Sequence, residues 1–111
     1  MGSMLDLNGG EWKTVRPDVA EGVLGKTLLD KGVKAVVTRV APGGRMGMHR
    51  DSYGHLLYFL GGTGLVGVGD DRYDVRPGIS VSIAAGEEHF YHNTGIDDLT
   101  LISFNIPENS E

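Results

Sequence analysis

At 111 residues the chain is long enough for one core and too short for two. Its composition, 40% hydrophobic and 23% charged, is that of an ordinary globular domain and excludes both a disordered and a helical membrane-spanning class. Fifteen acidic against ten basic residues give a formal charge of −5, with Lys and Arg scattered, so nucleic acid and anionic membrane are poor partners.

Met1-Gly2-Ser3 ahead of a second start at Met4 read as residues left by cloning, and the fold is expected over 4–106, with a polar tail over 107–111. The N-terminus lacks the basic start and apolar stretch of a signal peptide, and no apolar run reaches the roughly 20 residues of a membrane span, so cytoplasmic residence is the expectation. Strands are expected at Glu11–Val15, Gly22–Leu29 and Lys34–Val40, then at His55–Leu60, Gly64–Val68, Asp71–Val75, Ser80–Ile83, His89–His92 and Leu99–Ile106, all rich in Val, Ile, Leu, Tyr, Phe and Thr. Turn signals separate them: Asp30-Lys31-Gly32, Pro42-Gly43-Gly44, Gly61-Gly62, Gly69-Asp70-Asp71, Pro77-Gly78, Ala85-Gly86 and Asn93-Thr94-Gly95. The Gly69-Asp70 pair marks a hairpin, and Asp18–Gly22 carries a turn of helix at most. Eighteen glycines, well above the average of about 7%, and no apolar period of 3.6 residues together indicate an all-β sandwich or barrel.

With no cysteine, any metal must rest on histidine and carboxylate. The four histidines, at 49, 55, 89 and 92, cluster in the second half of the chain. In a regular extended run His49, Asp51 and His55 share one face, since side chains at even spacings point the same way. His89 and His92 are three apart and cannot both join them from a regular strand, so one is inward and the other outward.

Two stretches resemble the motifs of the cupin superfamily. Gly44 through His49, Asp51 and His55 to Gly62 follows the frame of the first motif, and Gly78, Gly86, His89 and Asn93 fill every fixed position of the second except Ala84, where proline is usual. The resemblance implies a double-stranded β-helix, or jelly-roll, barrel around one divalent transition metal ion, with His89 as the second-motif ligand and His92 outside the site. Position by position, His49 matches the first histidine, Asp51 the second and His55 the glutamate, which is similar to a subgroup carrying a third histidine there. The implied shell is His49, His55 and His89 with Asp51, either as a direct ligand or as an acceptor orienting an imidazole or pairing with Arg50 or Arg45. Iron, manganese, copper, zinc and nickel all suit such donors. Three neutral imidazoles and one carboxylate leave a divalent site at net +1, which favours an anionic ligand.

Strand parity carried on from His49 points Tyr53, Leu57 and Phe59 into the cavity and Tyr58 away, and Tyr91 shares the face of His89. Tyr53 and Tyr91 are therefore the candidates to orient or protonate a substrate. Arg45 either clamps a carboxylate or lies exposed at the barrel mouth. Met46 and Met48 pack between sheets, Glu87 and Glu88 lie on a solvated turn, and Asn93 closes the turn after its strand. The expectation is a metal-dependent enzyme acting on a small molecule, by dioxygenase-like oxidoreductase or other Lewis-acid chemistry. The alternatives are a metal-assisted isomerase or lyase and a non-catalytic module sensing a small ligand or metal. Small cupins commonly pair as homodimers through N-terminal strands, and the Trp12 segment offers such an edge.

Overall fold

The computed structural model describes residues 2–107, so part of the tail expected over 107–111 falls outside it. The described residues form nine strands and no helix: β1 Lys13–Thr14, β2 Ala20–Lys31, β3 Val33–His49, β4 Gly54–Gly61, β5 Gly64–Val68, β6 Asp71–Val75, β7 Ser80–Ile83, β8 His89–Asn93 and β9 Leu99–Ile106. All pairings are antiparallel. Strands follow the order β6-β5-β8-β3-β9-β4-β7, and β2 joins β3 while carrying β1 on its other side. This is the all-β jelly-roll barrel that the strand spacing and the motifs imply. Among the described residues no helix is long and apolar enough to cross a membrane.

β3 is the strand on which the architecture turns. Its first half pairs with both β2 and β9, from Lys34↔Asn105 to Val40↔Leu99, and its last residues pair with β8 at Arg45↔His92, Met46↔Tyr91 and His49↔His89. A turn was expected at Pro42-Gly43-Gly44, yet the strand continues through it. The ladder reads Val23↔Val40 and then Glu21↔Arg45, so β2 spends one residue, Gly22, where β3 spends four. Gly22 and Gly43, at φ 69° and 80°, supply the left-handed backbone that absorbs this mismatch.

The expected turn near Asp18 is displaced towards the N-terminus. The amides of Val19 and Ala20 both donate to the Arg16 carbonyl, at 3.0 and 2.8 Å, and Ala20 already begins β2. The β5–β6 hairpin turns at Gly69-Asp70, with Gly69 at φ 57°.

Alternation along the strands sends Phe59, Leu99, Leu101, Val23, Val40 and Val66 fully inside. Met46, Leu57 and Tyr91 belong both to this core and to the wall of a cavity of about 460 Å³. The cavity's remaining wall comes in part from the segment Glu11–Arg16. Trp12 in that segment lies under the Arg39 guanidinium, 4.0 Å from its ring centre, and donates its indole N–H to the Leu7 carbonyl.

Candidate metal centre

His49 ends β3 and His89 begins β8, and the two are register partners. Their placement depends on an irregularity. Between Met46↔Tyr91 and His49↔His89 the register shifts, so Met46 and His49, three apart on one strand, both reach the cavity. Met48 is consequently expelled, 47% exposed, where strand parity had placed it between sheets. The regular run from His49 to His55 also fails: residues 50–53 are not strand, and Asp51 is delivered by the loop before β4. Asp51 and His55 still reach the cavity, one from the loop and one from β4.

The ring orientations are set by backbone. His49 donates its Nδ1 proton to the Gly47 carbonyl at 2.7 Å, and His89 donates its own to the Glu87 carbonyl at 2.9 Å. In its neutral form each ring thereby presents Nε2 inward as a lone pair. Gly47 matters as a glycine, because a Cβ there would stand 2.6 Å from the Val19 carbonyl oxygen, which accepts the Gly47 amide proton at 2.8 Å.

Asp51 stands at the focus, its side chain 8% exposed. Its Oδ2 lies 2.8 Å from His55 Nε2, 3.2 Å from His49 Nε2 and 3.7 Å from His89 Nε2. His49, Asp51 and His89 bring one donor atom each to within 4.8 Å of one another, and His55 joins them through Asp51. The imidazole rings are mutually tilted at centroid separations of 4.2 Å for His49–His89 and 4.8 Å for His55–His89. A cation fits this donor set. His55 can donate a proton to Asp51, but His49 and His89 have spent theirs on backbone, so their lone pairs point at a carboxylate oxygen. A positive charge between them turns that opposition into ligation.

Arg16 was not among the residues that strand parity or motif spacing brought forward. Its Nη1 donates to Asp51 Oδ1 at 3.1 Å, and its Nε lies 3.7 Å from Asp18. The only hint of it in the sequence is Pro17, which marks a turn. Burial pushes Asp51 up, but hydrogen bonds from His55 and Arg16 outweigh it and hold the carboxyl below its usual range. Arg16 is raised in turn, chiefly by its hydrogen bond to Asp51. Burial lowers His89 despite the bond to Glu87. With Arg16 counted, a divalent ion on these ligands leaves the site at net +2, one unit more positive than the ligands alone give.

Tyr53 and Tyr91 both line the cavity, Tyr53 with its ring 5.0 Å from that of His55. Burial raises both phenols, and the charge of Asp51 raises Tyr53 further. Phe59, expected in the cavity, is wholly in the core, because the cavity closes at Leu57 one inward position earlier. Tyr58 is 40% exposed and faces away. His92 is on the other face of β8, stacked on Phe90 with ring centres 6.2 Å apart. Arg45 is exposed and pairs with Glu21 at 3.4 Å. Asn93 closes the turn after β8, accepting from the Gly95 amide and donating to the carbonyls of Asp97 and Val40.

Comparison with known proteins agrees with this architecture. The family model described as "Cupin domain" matches residues 36–105. The polyketide cyclase RemF from Streptomyces resistomycificus is similar in structure, with TM-score 0.86 at 19% identity over 100% of this chain and 83% of that one. KdgF from Halomonas sp. gives 0.81 at 18% identity over 98% and 97%. A predicted oxalate decarboxylase from Thermotoga maritima gives 0.73 at 24% identity over 78% and 81%. At these identities the likeness is one of fold. No curated protein matches the sequence.

Proposed function

The chain belongs to the cupin domain family, and from that premise we propose that it is a metal-dependent enzyme acting on a small molecule, with one divalent transition metal held by His49, Asp51, His55 and His89. The observation that carries this reading is the opposition of His49 Nε2 and Asp51 Oδ2 at 3.2 Å, on residues whose other polar atoms are already committed. When bound, the metal supplies Lewis-acid polarisation of a substrate oxygen or a centre for dioxygen.

The chain's own residues supply the rest. Gly47 and Glu87 fix the imidazole tautomers through their carbonyls. Tyr53 and Tyr91, phenols whose burial disfavours ionisation further, are suited to donate a hydrogen bond to a substrate oxygen. The volume of about 460 Å³ suits one small molecule. Names of similar folds, a polyketide cyclase and a predicted oxalate decarboxylase, are consistent with small-molecule chemistry in such a barrel.

Metal analysis of protein purified without a His tag tests the proposal. One equivalent of iron, manganese, copper, zinc or nickel per chain is expected, and none after reconstitution overturns it. Oxygen consumption with diketone or phenolic substrates separates an oxygenase from an isomerase or lyase.

A further inference from the structure

Arg16 is held in the site at a conformational cost. It has φ 45°, and among the described residues it is the one non-glycine with positive φ. A side chain in the left-handed region is disfavoured, and the residue before a proline more so, because the proline ring crowds it. Arg16 precedes Pro17. Two amides on its carbonyl lock the turn, and the side chain reaches Asp51, 35 positions further along the chain. Strain of this kind persists where the surroundings over-determine it and gathers at ligand-binding positions.

The charge around it runs against that of the whole chain. The protein carries −5, yet the cavity is lined by Lys13, Arg16, Lys26 and Lys34 against only Glu11 and Asp51. Lys26 is engaged by the carbonyls of Asp6 and Gly9. The same wall includes Val36, Met46, Leu57 and Tyr91, an apolar surface beside a cationic one. A guanidinium has five N–H donors in a planar fork. Asp51 Oδ1 takes one, and Asp18, 68% exposed, lies at the longer 3.7 Å.

We propose that the cavity takes a small organic carboxylate, its apolar body against Met46, Leu57 and Tyr91 and its headgroup received by Arg16, which makes Arg16 the specificity-determining residue. The inference deepens the enzyme reading and rests on it for the role of the bound molecule. Arg16 then serves two carboxylates at once. It holds Asp51 by Oδ1, leaving Oδ2 towards the imidazoles, and offers its remaining donors to the ligand, where a bidentate pairing adds geometry to charge.

Isothermal titration of benzoate and of benzamide, similar in shape and different in charge, tests this on the whole chain, metal-free and metal-loaded, with metal content measured on the same samples. Benzoate is expected to bind and benzamide to bind at least about tenfold more weakly. Arg16→Gln is expected to weaken benzoate roughly 10- to 100-fold, with part of the affinity returned by Arg16→Lys. Arg16→Gly removes the side chain while relieving the backbone, so the same loss is expected there, with the melting temperature read alongside to show that the protein is folded. Asp51→Asn, in the metal-free protein, removes the competing carboxylate and is expected to tighten benzoate several-fold. Equal binding of the two probes, no benzoate binding by the unaltered protein, or Arg16 variants that bind like it would overturn the proposal. Absent metal with Arg16-dependent benzoate binding would remove the metal centre and leave the anion site. Bound metal with Arg16-independent binding would do the reverse.

Discussion

His49 and Asp51 face each other as two acceptors: Nε2 and Oδ2 stand 3.2 Å apart, with the only ring proton of a neutral His49 given to the Gly47 carbonyl. Such a pair is unfavourable in a buried place unless a proton or a metal cation lies between its members. Adding the metal should therefore stabilise the fold. At free metal one hundred times the dissociation constant the gain is about 2.7 kcal/mol, read as a rise in melting temperature that a chelator reverses. A melting temperature indifferent to every first-row divalent ion would contradict it.

The two histidines left unpartnered by backbone separate cleanly. His55 reaches Asp51 Oδ2 at 2.8 Å, whereas His92 stacks on Phe90 on the other face of β8. His55→Ala should lower metal affinity by at least about tenfold, and His92→Ala should leave it unchanged. Metal stoichiometry after dialysis against a competing chelator distinguishes them, and equal losses would show the assignment of faces to be wrong.

Acid should destabilise the metal-free protein in two stages. His89 titrates below its ordinary 6.5 because burial disfavours its charged form, so the unfolded chain takes up that proton first as pH falls. Its contribution is complete above pH 6.5 and is lost as pH falls from there through the depressed value. Asp51 is held below 3.8, burial notwithstanding, by His55 and Arg16, so its contribution is present above 3.8 and lost as pH falls further. Melting temperatures measured from pH 8 down to 4, with and without His89→Gln, should show the first slope vanish in the variant.

Gly47 couples packing to chemistry. Its Cβ would stand 2.6 Å from the Val19 carbonyl oxygen, a backbone atom that cannot swing aside. Gly47→Ala should cost about 1–3 kcal/mol in denaturant unfolding and weaken metal binding as well, because relieving the clash shifts residue 47, whose own carbonyl anchors His49. Leu101→Ala, in the core and outside the cavity wall, should cost about 2–5 kcal/mol while leaving the metal stoichiometry of the folded fraction at one.

Much of the barrel is legible in the sequence because short β-branched runs between glycine turns have few alternatives: six of the nine strands, β4, β5, β6, β7, β8 and β9, fall within one residue of the periodicity reading at each end. The misreadings come from non-local causes. Nothing local announces that β3 passes through Pro42-Gly43-Gly44, since the ladder is carried across by Gly22 on another strand. The same holds at Met48, where a register shift reverses the parity that alternation supplies. Arg16 was invisible because its partner lies 35 positions away and its placement depends on a strained turn. The three histidines around Asp51 Oδ2 were legible through side-chain parity together with the cupin resemblance, which singled out His89 over His92, although a loop, and not a regular strand, brings Asp51 there.

The carbonyls that hold His49 and His89 each come from the residue two positions earlier on the same stretch of chain. An anchor made of backbone has no side chain of its own to lose: the oxygen that grips His89 belongs to the main chain of Glu87, while its carboxylate accepts from the Ala84 amide. The tautomer of each ring is thus inherited from the path of the chain. Sequence drift that leaves this path in place, Gly47 included, can recolour the cavity and change what it accepts while both imidazoles go on presenting the same nitrogen.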